Sequence, residues 1–341
     1  MTDSATTPDR APALHVAPSP HLAQTAFHTR GMMIDVLVAL APVLLATLLV
    51  FRWHGVVQVG LCVLACVAAE AVLCLLMRKP IAVGDCSAAV TGVILGLSLP
   101  ATAPWFVGVI ASVVAIGLGK VVFGGLGYNL FNPAMVGRAF VMLSFAGYMG
   151  ASAYVVTDSL DVLTQATPLT MAKQNAAAWA AGQIGPENMP EGLADIRQFW
   201  PLFLGTVNGS LGETSALAIL AGGLFLCLRR VASWEIPLGM LVAGFLCAAL
   251  AQWIKLTPLT ALQFMISGSF LFGAFFIATD PVTSPLTPWG KFAFGAGIGV
   301  LTMLIRVLSG YPEGVMFAVL LMNGAVPLLN RWTIPRPLGA K

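Results

Sequence analysis

Charge is scarce in this sequence. Asp, Glu, Lys and Arg together supply 9% of its 341 residues, whereas a soluble domain carries about a quarter. Hydrophobic residues make up 58%, and the mean hydropathy is +0.89. A soluble core could not bury so much apolar surface, so we expect a polytopic protein of the lipid bilayer and exclude nucleic acid as a partner.

Motifs for metals and for nicotinamide cofactors are also missing. None of the six cysteines forms a C-x-x-C pair, and the four histidines lie at or before His54. Neither a zinc nor an iron–sulfur site is therefore predicted. No G-x-G-x-x-G follows a strand-like pattern, so no nicotinamide site is expected. Any electron chemistry in this chain requires a bound organic cofactor.

The first 31 residues lack the apolar core of a signal peptide. We interpret residues 1–31 as a cytoplasmic lead-in and residues 331–341 as a cytoplasmic tail. Between them the sequence predicts ten apolar segments, near 32–51, 56–77, 87–99, 105–123, 133–150, 202–228, 235–254, 262–278, 291–309 and 314–330. A spanning helix needs about 20 residues, so the third segment is predicted to be a half-helix or a tilted piece.

Basic residues orient these segments. With the N-terminus inside, twelve of the 17 Lys and Arg residues fall on the inner side, Lys120 and Arg138 among them. This is the asymmetry that the positive-inside rule expects. Both termini are then cytoplasmic, and the long connection at 151–201 is extracytoplasmic.

The two halves of the chain echo each other. LPATAPW at 99–105 and GGLGYN at 124–129 correspond to TDPVTSPLTPW at 279–289 and SGYPEG at 309–314. Five segments in each half mean that the second copy enters the membrane upside down. We therefore predict an all-α fold with a first repeat at 32–150 and an inverted second repeat at 202–330. Inverted repeats with broken helices place a site near the bilayer midplane.

Four longer stretches carry a family resemblance. They are SPHLAQTAF (19–27), GGLGYNLFNPAMVGRAF (124–140), NGSLGETSALA (208–218) and LFGAFFIATDPVTSPLTPWGK (271–291). Together they closely resemble the D subunits of Rnf electron-transport complexes and, more distantly, the B subunits of sodium-pumping NADH:quinone reductases. The resemblance extends from about residue 19 to residue 335.

This resemblance implies a covalent flavin. Members of the family carry FMN joined through its phosphate to a threonine on the outer side of the membrane. A separate flavin transferase attaches it and recognises Asp-x-x-Ser/Thr-Gly-Ala-Thr. In DVLTQATPLT (161–170) the pattern falls on Asp161, Thr164, Ala166 and the acceptor Thr167, while Gln165 stands where the family has a small residue.

The residues around Thr167 also allow a simpler interpretation. An unactivated hydroxyl needs an external enzyme to become a nucleophile, and Pro168 biases Thr167 away from helix, as an accessible acceptor requires. Alternatively, Thr164 or Thr167 caps a helix predicted at 168–180.

Other polar residues flank the apolar segments. Polar groups at membrane depth are costly, so they are candidate contacts for an ion or a flavin. The candidates are Asp85, Asn132, Glu213 and Asp280. Capping of helix ends, or of backbone freed at helix breaks, is the structural alternative for them and for Asn129 and Asn323. Glu70, the deepest carboxylate, is expected to face the bundle interior or to snorkel to an interface.

The resemblance implies a component of a redox-driven ion translocase in the bacterial inner membrane. Such a complex exchanges electrons between ferredoxin and NAD and couples the transfer to sodium or proton translocation. The implied partners are other membrane and peripheral Rnf subunits and the flavin transferase. A second, non-covalent flavin such as riboflavin is a further expectation. Two alternatives stay open: a solute channel or transporter without flavin, and a structural scaffold for a flavin protein elsewhere.

Overall fold

The computed structural model describes residues 28–79, 83–149, 168–183, 199–204, 210–213, 215–309, 311 and 313–335. Within these ranges the regular structure is helical and no strand is found. The all-α prediction is therefore confirmed for the described part of the chain. Nearly all of the predicted lead-in, and much of the predicted 151–201 connection, lie outside the described residues.

The helices of the described ranges are numbered in chain order. They are α1 (Thr29–Leu76), α2 (Ser87–Ser98), α3 (Trp105–Ile116), α4 (Pro133–Ser144), α5 (Ala146–Met149), α6 (Pro168–Ala180), α7 (Phe199–Leu204), α8 (Ala216–Leu228), α9 (Glu235–Trp253), α10 (Ala261–Ile266), α11 (Phe270–Phe272), α12 (Pro288–Leu308) and α13 (Val315–Thr333). Two π-helical turns, Gly117–Val121 and Gly273–Ile277, continue α3 and α11.

Four of these helices, α1, α9, α12 and α13, are long and apolar enough to cross a membrane. Helices α2, α4 and α8, and α3 with its π turn, are apolar but only 10–17 residues long. The predicted short segment 87–99 is thus the 12-residue helix α2. The chain is a membrane protein with long and short apolar helices, while ten spans and an inverted second half stay predictions.

Helix α1 combines two predicted segments, 32–51 and 56–77. Its 48 residues are interrupted by a kink at Arg52, whose φ of 53° and ψ of −143° are not helical. Positive φ is uncommon for a residue with a side chain. The boundary that the sequence placed between two segments is therefore present as a local break in one long element.

Large apolar side chains cover much of the outer surface of the helices. Leu49, Leu64 and Leu228 are exposed to 74%, 71% and 83%. In water such a surface would be unfavourable at about 25 cal/mol per Å². A lipid environment removes that cost, which agrees with the low charge of the sequence.

The break after α2 is closed by a distant segment. The amides of Leu211 and Gly212 donate to the carbonyls of Leu99 (3.3 Å) and Leu97 (2.7 Å). The hydroxyl of Thr47 donates in turn to the carbonyl of Leu211 at 2.8 Å. Lipid offers no hydrogen bonds, so non-helical backbone at membrane depth must find its partners within the protein.

Glycines allow the helices to approach closely. A Cβ at Gly295 would lie 2.2 Å from the carbonyl oxygen of Ile236, where α12 meets α9, and one at Gly299 would lie 2.6 Å from that of Met240. At the contact of α8 with α1, a Cβ on Gly222 would lie 2.0 Å from the carbonyl oxygen of Ala39. Small residues at helix interfaces are typical of membrane bundles, where packing drives association.

We expect Gly222→Ala to lower the thermal stability in detergent, because the new Cβ would overlap the backbone of α1. Overpacking of this kind costs about 1–3 kcal/mol. Gly60→Ala is the matched control, since a Cβ at Gly60 meets nothing within 4 Å. The unfolding midpoint, followed by tryptophan fluorescence, should fall in Gly222→Ala alone. Equal midpoints in the two variants would contradict the close helix contact.

Candidate functional site

A cavity of about 740 Å³, a volume that includes the space at its opening, is lined by segments from both halves of the chain. Its walls come from the start of α1, from α2, from residues within 120–134, from the end of α8 and the loop after it, and from 276–281. Most of the lining is apolar, with a few polar side chains.

Asn132 and Asp280, two of the predicted candidates, both line this cavity. The Asn132 side chain accepts from the amide of Met135 at 3.3 Å, which caps α4, and its amide nitrogen donates to the carbonyl of Ile277 at 3.3 Å. The Asp280 carboxylate accepts from the amide of Val282 at 3.1 Å. Both residues therefore stabilise helix breaks as well as facing the cavity.

Two further asparagines complete this region. The side-chain oxygen of Asn323 accepts from the backbone amide of Asn132 at 3.0 Å, and its side-chain nitrogen donates to the carbonyl of Thr283 at 3.2 Å. Asn129 donates to the carbonyl of Phe131 at 3.4 Å, but its side-chain oxygen is buried with no partner in the described protein. Buried polar atoms are normally paired, so this oxygen is available to a ligand.

A chain of polar side chains runs from the cavity into the helix bundle. Lys120 forms an ion pair with Glu70 and donates to the Ser87 hydroxyl at 2.5 Å. The amide and hydroxyl of Ser87 donate to Asp85 at 2.8 and 2.6 Å. Asp85, another predicted candidate, therefore caps the start of α2 and reaches the cavity through Ser87.

Lys120, which the charge count assigned to the inner side of the membrane, is buried in the helix bundle, with only 2% of it exposed. Glu70 is also buried, as one of its two expected positions requires, and the two opposite charges compensate each other. An isolated charge would be costly at this depth. Lys120 and Glu70 are therefore buried together as an ion pair.

A second buried cluster joins Arg138, Glu213, Arg306 and Glu313. Arg138 Nη2 lies 2.7 Å from Glu313 Oε2 and 3.8 Å from Glu213 Oε1. Arg138 is 8% exposed and Arg306 is 4% exposed. Of these four residues, only Glu213 was predicted as a candidate. The sequence signal that could have revealed the others is Arg306 within the apolar run 291–309, because a charge inside such a run needs a partner of opposite charge.

The two glutamates of this cluster lie in loops, and their carboxyl groups contact each other. Burial and the neighbouring carboxyl of Glu313 raise the pKa of Glu213 well above its usual value. Burial opposes ionisation of Glu313 too, but Arg138, the Glu213 carboxyl and Arg306 together lower its pKa. Ionisation in this cluster is therefore favoured at Glu313 and opposed at Glu213.

The predicted flavin-attachment residues Asp161, Thr164, Ala166 and Thr167 lie outside the described residues. The described chain resumes at Pro168, where α6 begins, so the helix predicted at 168–180 is confirmed. Lys173 on this helix donates to backbone carbonyls of Arg306, at 3.4 Å, and of Tyr311, at 3.0 Å. Helix α6 is therefore docked at the end of α12.

Helix α12 contacts the loop beside the cavity at its start and α6 at its end. At the start of α12, Lys291 donates to the Ser233 hydroxyl at 2.6 Å, and the neighbouring Val231 and Ala232 line the cavity. At its end, α12 meets Lys173. The 21 residues of α12 correspond to about 30 Å of helix. Asn132 and Asp280 thus line the cavity and Asp85 contacts its wall through Ser87, whereas Glu213 belongs to the second cluster.

Comparison with known proteins gives a consistent result. Residues 15–339 match the NQR2, RnfD, RnfE family. The chain is 42% identical to the D subunit of the Na(+)-translocating ferredoxin:NAD(+) oxidoreductase complex of Acetobacterium woodii, over 96% of this chain and 95% of that protein. It is 38% identical to the D subunit of the ion-translocating oxidoreductase complex of Sodalis glossinidius, over 96% and 99%. It is 35% identical to the D subunit of the proton-translocating ferredoxin:NAD(+) oxidoreductase complex of Clostridium ljungdahlii, over 91% and 92%.

We expect Lys120→Met to destabilise the protein by about 3–5 kcal/mol, because it leaves the Glu70 carboxylate buried without its cation. Exchanging both partners, in Glu70→Met with Lys120→Met, should recover most of that loss, because no charge is then left uncompensated. Thermal unfolding of the two single variants and the double variant in detergent measures the coupling. Additive effects of the two substitutions would show that the pair does not interact.

Proposed function

The chain belongs to the NQR2, RnfD, RnfE family, and from that premise we propose that it is the membrane component of an Rnf-type complex that carries electrons through a covalently bound FMN. The observation that carries the proposal is the threonine motif directly before α6. The motif DVLTQAT ends at Thr167, and the next residue begins a helix that is anchored on the membrane-embedded part of the protein.

The structure supports attachment at Thr167 in two ways. A phosphodiester on the residue that precedes a helix is favoured by the positive partial charge of the helix N-terminus. The docking of α6 also holds the neighbouring chain close to the membrane domain. A bound flavin supplies reversible acceptance of one or two electrons. In this proposal Thr167 anchors it, and the docked α6 positions it relative to the membrane domain.

The cavity is the place that we propose for a second, non-covalent flavin. A flavin ring is flat and largely apolar with polar edges, and it needs apolar walls with a few hydrogen-bonding groups. The cavity offers the Phe276 ring and aliphatic side chains, the unpaired oxygen of Asn129, and the nearby Asn132, Thr279 and Asp280. A ring N–H placed against the Asn129 oxygen would satisfy a buried acceptor that the protein leaves open.

Ion translocation belongs to the complex in this proposal. The names of two relatives specify different ions, sodium in one and protons in the other, so membership of the family does not select the ion. We propose four acidic groups as contacts for it: Glu70 and Asp85 near the cavity, and Glu213 and Glu313 in the second cluster. Glu70 is paired with Lys120 and Glu313 with Arg138, which keeps negative charge within the bundle without exposing it to lipid.

The proposed topology follows from this arrangement. We place the protein in the bacterial inner membrane with both termini in the cytoplasm and the 151–201 connection outside. The cavity then faces the cytoplasmic side, and α6 with the covalent flavin is extracytoplasmic. The partners are the other membrane and peripheral subunits of the complex and a flavin transferase that acts on Thr167.

We expect Thr167→Ala to abolish covalent flavin. The protein is produced in a host with the flavin transferase, separated on a denaturing gel and viewed under ultraviolet light. Wild type should give a fluorescent band and Thr167→Ala a dark one, with Thr170→Ala as the matched control that stays fluorescent. A dark wild-type band, beside a fluorescent relative from the same host, would contradict the proposal and favour a transporter or scaffold without flavin.

We expect Asn129→Leu to remove the second flavin while leaving the first in place, because it replaces the unpaired cavity oxygen by an apolar group. Acid precipitation separates the two pools, since a non-covalent flavin passes into the supernatant and a covalent flavin stays with the protein. Thr167→Ala should show the reverse pattern. Unchanged supernatant flavin in Asn129→Leu would show that the cavity is not its site.

A further inference from the structure

The side chain of Lys173, on α6, contacts the C-terminus of α12. Its Nζ lies 3.4 Å from the carbonyl oxygen of Arg306 and 3.0 Å from that of Tyr311, and it also contacts the carbonyl of Ser309. These groups surround the C-terminus of α12, where the last carbonyls have no partner within the helix. A cation at this position complements the negative end of the helix dipole.

An apolar contact accompanies the lysine. Leu169, Ala172 and Lys173 are spaced i, i+3 and i+4 and therefore share one face of α6. Leu169 is 4% and Ala172 3% exposed. A Cβ on Gly268, whose φ is +70°, would lie 2.7 Å from Leu169 Cδ1. A glycine is needed here both for the backbone conformation and for the close approach of α6.

The same docking surface adjoins the buried cluster of charges. A Cβ on Gly268 would also lie 3.1 Å from Arg306 Nη2 and 3.2 Å from Glu313 Oε1. Arg306 donates to the carbonyls of Phe264 (2.5 Å) and Ser267 (2.9 Å) at the end of α10. Lys173 thus donates to carbonyls at the C-terminus of α12, and Arg306, which belongs to α12, donates to carbonyls at the C-terminus of α10. Displacement of α6 would uncover this polar interior.

We propose that Lys173 is a positioning residue that holds α6 on the end of α12 and so sets where the flavin-attachment threonine stands relative to the membrane domain. The inference rests on the proposed function, because Thr167 is bonded to Pro168, the first residue of α6. Lys173 acts through the helix and belongs neither to the attachment motif nor to the cavity.

The test compares three variants in the assembled complex. Lys173→Met keeps a long apolar side chain and removes the cation, Lys173→Arg keeps a cation that can donate to the same carbonyls, and Gln174→Met alters an exposed neighbour on α6. Three quantities are measured: amide hydrogen exchange of 168–180, in-gel fluorescence of covalent flavin, and the rate of ferredoxin-dependent NAD reduction.

In Lys173→Met we expect exchange of 168–180 to rise at least tenfold, covalent flavin to stay at the wild-type level, and NAD reduction to fall about tenfold or more, as misplacement of a reacting group does. Lys173→Arg should restore exchange and rate, and Gln174→Met should match wild type. Unaltered exchange in Lys173→Met would overturn the proposal, as would faster exchange with an unaltered rate. Faster exchange throughout α12 and α13 would also overturn it, because the role would then be general stability.

The two proposals fail in different ways. A wild-type band without fluorescence would refute the covalent flavin. The hydrogen exchange of Lys173→Met would still show whether Lys173 holds α6 on α12. A fluorescent wild type with unchanged exchange in Lys173→Met would leave the flavin in place and refute the positioning role. Leu169→Ala supplies an independent way to loosen the dock without touching a charge, and it should change exchange and rate in the same direction.

Discussion

The need to hydrogen-bond backbone inside a membrane protein governs the rest of this structure. Lipid provides no partner for a free amide or carbonyl, yet several apolar helices here are too short to cross a bilayer. Each break is closed from elsewhere in the chain: amides of 211–212 meet the end of α2, and the Asn132 side chain meets the carbonyl of Ile277. Polar groups thus gather where the helices break, and there a cofactor or an ion can find hydrogen-bonding groups in an apolar surrounding.

The same constraint explains why charges are few and paired. Glu70 is matched by Lys120, and Glu313 by Arg138. Such pairs contribute little net stability compared with apolar residues of similar size, but removal of one partner is costly.

The arrangement along α12 gives the proposed function its geometry. The loop beside the cavity contacts the start of α12 and the docked α6 contacts its end. The 21 residues of α12 are about 30 Å long. The two proposed flavin positions therefore belong to different regions of the molecule.

The sequence by itself determined the membrane class, the helical content, the short third segment, the helix that starts at Pro168 and the family. The first four depend on composition, on runs of apolar residues and on local proline chemistry, which act over a few neighbouring positions, whereas the family follows from the resemblance of four longer stretches. The sequence also identified Asn132, Asp280, Asp85 and Glu213 as candidate contacts for an ion or a flavin, because polar groups at membrane depth are costly. Only the tertiary structure decided that Asn132 and Asp280 line one cavity, that Asp85 contacts its wall through Ser87, and that Glu213 joins Arg138, Arg306 and Glu313. It also decided that Lys120 and Arg138 are buried. Arg138 and Glu313 are 175 residues apart, and Lys173 and Arg306 are 133 apart. Contacts at such separations arise from the packing of whole helices, which no local pattern records.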